Sequence, residues 1–247
     1  MYKKFKKFLK RSMFLVALVK AVRSLVSAIK SDMLRAKWSL VRSQEIRKYL
    51  SSYKIKKLQI GSGDNFLKVW LNTDLNPKSR EFIFLDATKP FPFEDNTFDY
   101  IFNEHLIEHF TYKEGTFMLN ECYRVLRVGG IIRISTPSLE KLVSLFTSEK
   151  SESQERFIKW IVDKYFPEVG VYKESFVINN SYQTWGHQFI YDFETLKYVM
   201  EQVGFIDITK PAAGESNDEN LRGIDFHGKI VSDEINKFET MVLEANK

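Results

Sequence analysis

The order of apolar and polar positions divides the chain into two parts. Near the start, Leu15, Leu18, Val19, Val22, Leu25, Val26 and Ile29 recur at the spacing of one helix face, with Lys20, Arg23 and Lys30 between them. From residue 56 the pattern changes. KKLQIG (56–61) is a short apolar run stopped by glycine, which reads as a buried strand. VWLNTDL (69–75) and FIFLDA (82–87) are two more strands, each reaching an aspartate, and TFDYIFN (97–103) is a fourth. Residues 113–127 are helical, with Met118, Cys122, Val125 and Leu126 on one face and Gly129-Gly130 as a stop. GIIRIST (130–136) is a fifth strand, closed by Pro137. Residues 139–166 carry helical spacing, and residues 167–190 read as loop. A helix over 192–205 has Asp192 as its N-cap and Gly204 at its end. FIDITK (205–210) and ETMVLEA (239–245) complete the strands.

Strands alternating with helices imply an α/β fold with a doubly wound, Rossmann-like and mostly parallel sheet. Two regions follow: a basic amphipathic helical segment over 1–50, and a domain over 51–247 with a helical and loop insertion at about 139–190. Charge sharpens that division. The formal net charge is +5, yet residues 1–50 hold 14 lysines or arginines against Asp32 and Glu45, and the remainder holds 23 basic against 30 acidic residues. An acidic body, with no aromatic-interleaved basic patch, argues against a nucleic-acid partner. The longest charge-free run in the basic segment is residues 12–19, far short of the roughly 20 residues that span a bilayer. Residues 1–30 suit either peripheral contact with an anionic membrane or packing on protein. Cys122 is the single cysteine, so there is no internal disulfide, and a cytoplasmic setting is the simplest expectation.

In a sheet of this kind ligands gather at the carboxyl ends of the strands. The first strand ends in GSGDN, where Gly61 and Gly63 let backbone approach a ligand closely. The second ends at Asp74, placed to accept ribose hydroxyls. The third ends at Asp86 and Ala87, placed for an adenine amino group and ring nitrogen. Together they describe a site for an adenosine-containing ligand that needs no phosphate. LQIGSGDN, NTDL, FLDATKPFPFEDNTFDYIFNEHLIEHF, ECYRVLRVGGIIRIST and HQFIYDFETLKYVMEQVGF follow one another in an order that resembles the class I S-adenosylmethionine-dependent methyltransferase family (bacterial, methyltransferase type 11-like). The resemblance covers about residues 56–211 and a final strand near 239–245. It implies a seven-stranded sheet with an antiparallel last strand and S-adenosyl-L-methionine as cofactor. Gly61, Ser62, Gly63, Asp74, Leu75, Asp86, Ala87, Asn103 and Glu104 then become the cofactor-binding candidates. One departure stands out. Only DNFLK separates the glycines from the second strand, so the usual first helix is very short or missing.

The stretch NEHLIEH (103–109) also spells H-x-x-E-H, a zinc-hydrolase signature. A strand just before it and HFTYKEG just after it leave no long helix for that site, and the expectation is no metal. The resemblance instead places it beside the sulfonium and the acceptor. His105 is then a candidate general base, and His187 in TWGHQF a second. GESNDENLRGIDFHGK (214–229) is dense in polar groups, and Glu215, Ser216, Arg222, Asp225 and His227 are candidates for binding the acceptor. Methyl transfer to an oxygen, less readily a nitrogen, of a small-molecule, sugar or glycan acceptor is the leading reading, with surface-polysaccharide biosynthesis as the setting by analogy. A non-catalytic adenosine-ligand or scaffold protein of the same fold is the second reading. A zinc hydrolase or a nicotinamide enzyme is remote.

Overall fold

A computed structural model describes residues 13–247. The described residues open with helix α1 (Met13–Ser52). Its side chains from Val16 to Val26 are exposed, so this stretch of the apolar stripe packs on nothing in the described chain. Its last turns behave differently. Ile46 and Tyr49 are buried in the main core. The Tyr49 hydroxyl accepts the Lys57 N–H at 2.8 Å and lies 2.9 Å from the Lys57 carbonyl and 3.1 Å from that of Val69. The boundary drawn at residue 50 therefore cuts through a helix end that belongs to the domain core.

Strands β1 (Lys57–Ile60), β2 (Leu71–Asp74), β3 (Phe82–Phe84) and β4 (Phe98–Glu104) follow with no α-helix between them. Helix α2 (Tyr112–Val125) starts from a capping box of Thr111 and Glu114. The chain then passes directly into β5 (Leu126–Pro137). Gly129 and Gly130 lie inside this strand, not at a helix stop, because Leu126 already pairs with Phe98 of β4. Helices α3 (Leu139–Ser144), α4 (Glu152–Tyr165) and α5 (Glu174–Gln183) fill the insertion. The helical pattern over 139–166 is thus broken in two, and the expected loop over 167–190 contains a helix. Helix α6 (Phe193–Val203) is capped by Asp192 and ends at Gly204, as its sequence implies. Strand β6 (Ile206–Thr209), the short helices α7 (His227–Ile230) and α8 (Asp233–Glu239), and strand β7 (Thr240–Asn246) end the chain.

Among the described residues seven strands form one sheet in the order β3-β2-β1-β4-β5-β7-β6. β1 to β5 pair in parallel, and β7 runs antiparallel to both neighbours. Leu58, Ile60, Leu71, Ile101, Ile132 and Ile134 turn to one face, where α2 and α6 cover them with Met118, Leu119, Cys122, Leu196, Val199 and Met200. Alternation sends the intervening residues to the other face. There the missing crossover helix is replaced in two ways. Asn72 clamps the short β1–β2 loop, accepting the Leu67 N–H at 2.9 Å and donating to the Leu67 and Trp70 carbonyls at 3.0 Å. The long segment between β6 and α7 then folds back over this face, where Leu221 packs with Trp70 and Phe102. A second core, with Leu145, Phe157, Ile161, Val177 and Ile235, unites the insertion with α8.

Candidate functional site

Strand order reverses between β1 and β4, and this is where the glycine turn lies. Gly61 and Gly63 adopt φ of +66° and +53°, a region that L side chains enter only at a cost. A Cβ on Gly61 would meet Leu106 at 2.7 Å, whereas one on Gly63 would point into open space. Ser62 is buried and holds the turn, its N–H and hydroxyl both donating to the Thr73 carbonyl. At the end of β2, Asp74 accepts the N–H groups of Gly63 at 2.9 Å and Asn76 at 2.7 Å. The same carboxylate thus shapes the turn and faces the space beyond Gly63. Leu75 is exposed beside it, and Ala87 is buried after Asp86. Asp86 uses Oδ1 to accept from the Thr88 N–H and hydroxyl, which leaves Oδ2 for a ligand.

Asn103 and Glu104 end β4 with different fates. Asn103 is fully buried, and neither amide atom has a hydrogen-bond partner among the described residues. Buried polar groups are normally paired, so this amide fits a polar ligand such as the amino-acid end of S-adenosylmethionine. Glu104 does not: its two oxygens accept the N–H groups of Phe226 and His227 at 2.8 and 3.0 Å. Burial raises its pKa, against the pull of those two donors. Its task is to hold the segment carrying His227.

The chain has four histidines, and all of them line one cavity of about 320 Å³ at the ends of β4 and β5. His105, with φ of +47°, directly follows β4. His109 ends a single 3-10 turn (Ile107–His109). His187 lies in the loop after α5, which is tied to that turn where the Gln188 N–H donates to the Glu108 carbonyl at 2.8 Å. His227 starts α7. Phe157, Trp160, Tyr165 and Trp185 from the insertion complete the walls, with Lys164 beside them. Leu106, the residue after His105, lies over Gly61.

Electrostatics give the histidines different roles. Burial works to lower the pKa of His105, but the Glu108 hydrogen bond and the charges of Glu108, Glu239 and Glu104 raise it to about 9. The Nδ1 of His105 lies 3.2 Å from Oε1 of the fully buried Glu108. Burial opposes the charge of Glu108, yet His105 brings its pKa below the usual range. The pairing with Glu108 thus favours the protonated form of His105, which competes with its candidate role as a general base. Burial lowers His187 to about 4, and its Nδ1 has no partner among the described residues. That ring is a neutral hydrogen-bond acceptor. His227 Nε2 meets Glu239 Oε1 at 2.6 Å.

The structure does not bring the polar residues of 214–229 together in one cavity. Only His227 reaches the histidine cavity; Glu215, Ser216 and Arg222 border a separate groove beside Glu244. Beneath them lies a buried ion network. Arg133 is inaccessible to solvent and forms a fork on Asp225, with Nε to Oδ1 at 3.2 Å and Nη2 to Oδ2 at 2.6 Å. Its Nη1 also donates to Glu244 and to the Glu215 carbonyl. Asp225 accepts further from the Ser135 hydroxyl at 2.6 Å and the Gly214 N–H at 2.8 Å. Asp225, Ser216 and the Glu215 carbonyl fasten the segment to the sheet, which gives Asp225 and Ser216 a structural task in place of the expected acceptor contact, while Arg222 turns back on the Ser216 carbonyl at 3.0 Å.

Residues 58–134 match the family model described as a methyltransferase domain. Residues 58–134 carry a methyltransferase domain. Its strand order and antiparallel β7 give the class I arrangement. Solved structures similar to this methyltransferase include a SAM-dependent methyltransferase from Archaeoglobus fulgidus, at 18% identity and TM-score 0.49, covering 85% of this chain and 94% of that one. Another is a possible histamine N-methyltransferase from Thermotoga maritima, at 16% identity and TM-score 0.46, covering 86% and 94%. A third is Haemonchus contortus phosphoethanolamine N-methyltransferase 2 in complex with S-adenosyl-L-methionine, at 17% identity and TM-score 0.43, covering 83% and 51%. No curated protein sequence matches the chain.

Three features of the methyltransferase escape a reading of its sequence. The Arg133 network, the role of Glu239, and the aromatic wall of Trp160, Tyr165 and Trp185 depend on distant pairings. A signal existed for the first. An arginine inside the apolar run GIIRIST is a charge in a buried strand, and such a charge requires an acidic partner.

Proposed function

We propose that this S-adenosylmethionine-dependent methyltransferase transfers the methyl group to an oxygen of a small-molecule, sugar or glycan acceptor seated in the histidine cavity. The observation that carries this reading is the convergence of all four histidines and an aromatic wall in one cavity at the ends of β4 and β5, the edge of the sheet where the cofactor candidates also lie. When bound, the cofactor supplies a methyl group on positively charged sulfur. Asp74 and Asp86 would hold its ribose and adenine, and Asn103 its amino-acid end. The chain's remaining tasks are alignment and exclusion of water. Phe157, Trp160, Tyr165 and Trp185 offer flat apolar surface to the body of an acceptor. His187 offers a neutral nitrogen to its hydroxyl, and His105 with Glu108 fixes the floor. A setting in surface-polysaccharide assembly suits a sugar hydroxyl acceptor.

The test is an acceptor screen with methyl-labelled cofactor, run on wild type and on His187→Ala. Labelled O-methyl products that fall at least tenfold with His187→Ala support the reading; labelling confined to nitrogen or carbon contradicts it. The exposed apolar stripe of α1, interleaved with Lys20 and Arg23, suits peripheral contact with an anionic membrane from the cytoplasmic side. No described helix is long and apolar enough to cross one. Residues 1–12 of the expected membrane segment lie outside the described residues. Equal vesicle binding with and without residues 1–30 contradicts this part.

A further inference from the structure

Glu239 ends α8 and turns its carboxylate toward the histidine cavity, where Oε1 meets His227 Nε2 at 2.6 Å. The His105 ring stacks on His227 with centroids 3.9 Å apart and planes 30° from parallel. The ligand-capable atoms of these three residues lie within 4.8 Å of one another. Behind them is a second set of contacts. Glu108 sits against His105 Nδ1 at 3.2 Å and itself accepts the Thr136 hydroxyl at 3.0 Å. A carboxylate behind an imidazole orients a ligating histidine: it keeps a proton on one nitrogen and presents the other. The nitrogen presented here, His105 Nε2, has only Thr240 Oγ1 near it, at 3.5 Å, and that hydroxyl donates instead to Asn236 at 2.9 Å. His227 is fixed from its backbone by Glu104. The left-handed conformation of His105 is a strained one for a residue with a side chain, of the kind that functional sites retain.

We propose that His105, His227 and Glu239 bind one zinc ion whose open coordination positions face the histidine cavity. Two imidazoles, one carboxylate and an open position form a donor set that zinc uses in catalytic sites. Zinc–nitrogen bonds of about 2.0–2.1 Å put tetrahedral ligand atoms about 3.3 Å apart. The ion displaces the proton between His227 and Glu239 and the proton on His105 Nε2, both released to solvent, while Glu108 keeps the proton on Nδ1; the His227–Glu239 contact widens slightly, and His105 closes in. Glu108, His109 and His187 form another group within 4.8 Å, but Glu108 already serves His105 and Thr136. The H-x-x-E-H stretch thus supplies one ligand and its supporting carboxylate, not a ligand pair. In the cavity such an ion binds an acceptor oxygen and lowers the pKa of its hydroxyl. That role rests on the proposed methyl transfer; the binding of zinc does not.

The experiment is calorimetric titration of tag-free, chelator-stripped full chain with Zn²⁺, without S-adenosylmethionine or acceptor. One ion binds per chain. His227→Ala and Glu239→Gln each weaken binding by about 100-fold or more, and His187→Ala leaves it unchanged. Melting curves of the three variants check folding. Titration of the unmodified protein with Co²⁺, followed by visible absorption that saturates at one equivalent, gives a reading independent of any variant. Absence of stoichiometric binding by wild type overturns the proposal. So does binding that His187→Ala abolishes while His227→Ala retains it, which moves the ion to the other group. A loss of methyl transfer with zinc still bound would count against the proposed function alone.

Discussion

Replacing Asp225 with alanine probes the device that stands in for a crossover helix. The substitution removes four acceptor contacts, two from Arg133 and one each from Ser135 and Gly214. Arg133 stays where it is, inaccessible to solvent, with Glu244 as its remaining carboxylate. Removing one partner of a buried ion pair costs about 3–5 kcal/mol, because the other charge is left desolvated. Glu244 keeps part of the neutralisation, so the lower end, about 3 kcal/mol, is expected. In a domain of this size each kcal/mol lowers Tm by about 2–4 °C, which gives a fall of about 6–12 °C. Asp225→Asn keeps the shape and loses the charge, and falls between wild type and Asp225→Ala. The assay is thermal and urea denaturation followed by circular dichroism. A double-mutant cycle with Arg133→Met separates the pair from its surroundings. A drop in Tm below about 2 °C for Asp225→Ala would refute the reasoning, since less than about 1 kcal/mol is what an exposed pair contributes.

Three further outcomes follow from single residues. Tyr191 has a fully buried hydroxyl with no partner among the described residues, and burial pushes its pKa up to about 12; Tyr191→Phe should stabilise the fold by about 1 kcal/mol, and a lower Tm than wild type would refute this. Gly61→Ala places a Cβ 2.7 Å from Leu106 at a positive φ, and should weaken S-adenosylmethionine binding about tenfold, near 1.4 kcal/mol, measured by calorimetry; unchanged affinity would remove the glycine turn from the cofactor site. Glu121 forks on Arg124 with two contacts of 2.8 Å, and that pairing outweighs burial to hold its carboxyl below the usual range. The stability it gives is present above the unfolded carboxyl pKa of about 4.3 and is lost as pH falls through the depressed folded value. Glu121→Gln should therefore lower Tm at pH 7 and much less at pH 3, and an equal loss at both would contradict the pairing.

The sheet was legible because its signals are local. Apolar runs ending in glycine or aspartate mark β1 to β3, and Asp192 and Gly204 bracket α6. The join of α2 to β5 was not legible: Gly129-Gly130 looks like a stop until the pairing of Leu126 with Phe98 is known. The cofactor candidates came out of strand-end positions, and Asp74 and Asn103 do end β2 and β4, with Asp86 just past the end of β3. Glu104 failed as a candidate because its partners, Phe226 and His227, lie 122 and 123 residues away. The histidine cavity was half visible. His105 and His187 were marked as chemistry and His227 as acceptor binding, but nothing local says that His105 and His227 meet Glu239, or that all three line one aromatic-walled cavity.

The claim that the turn at Gly61–Gly63 and the acids at the next two strand ends hold S-adenosylmethionine is tested most directly by calorimetric titration of the full chain with the cofactor, alongside Asp86→Ala. Binding near one molecule per chain, weakened at least tenfold by Asp86→Ala with Tm kept, is the predicted result. Absence of binding by a folded wild-type chain, or the same affinity in the variant, would contradict the account.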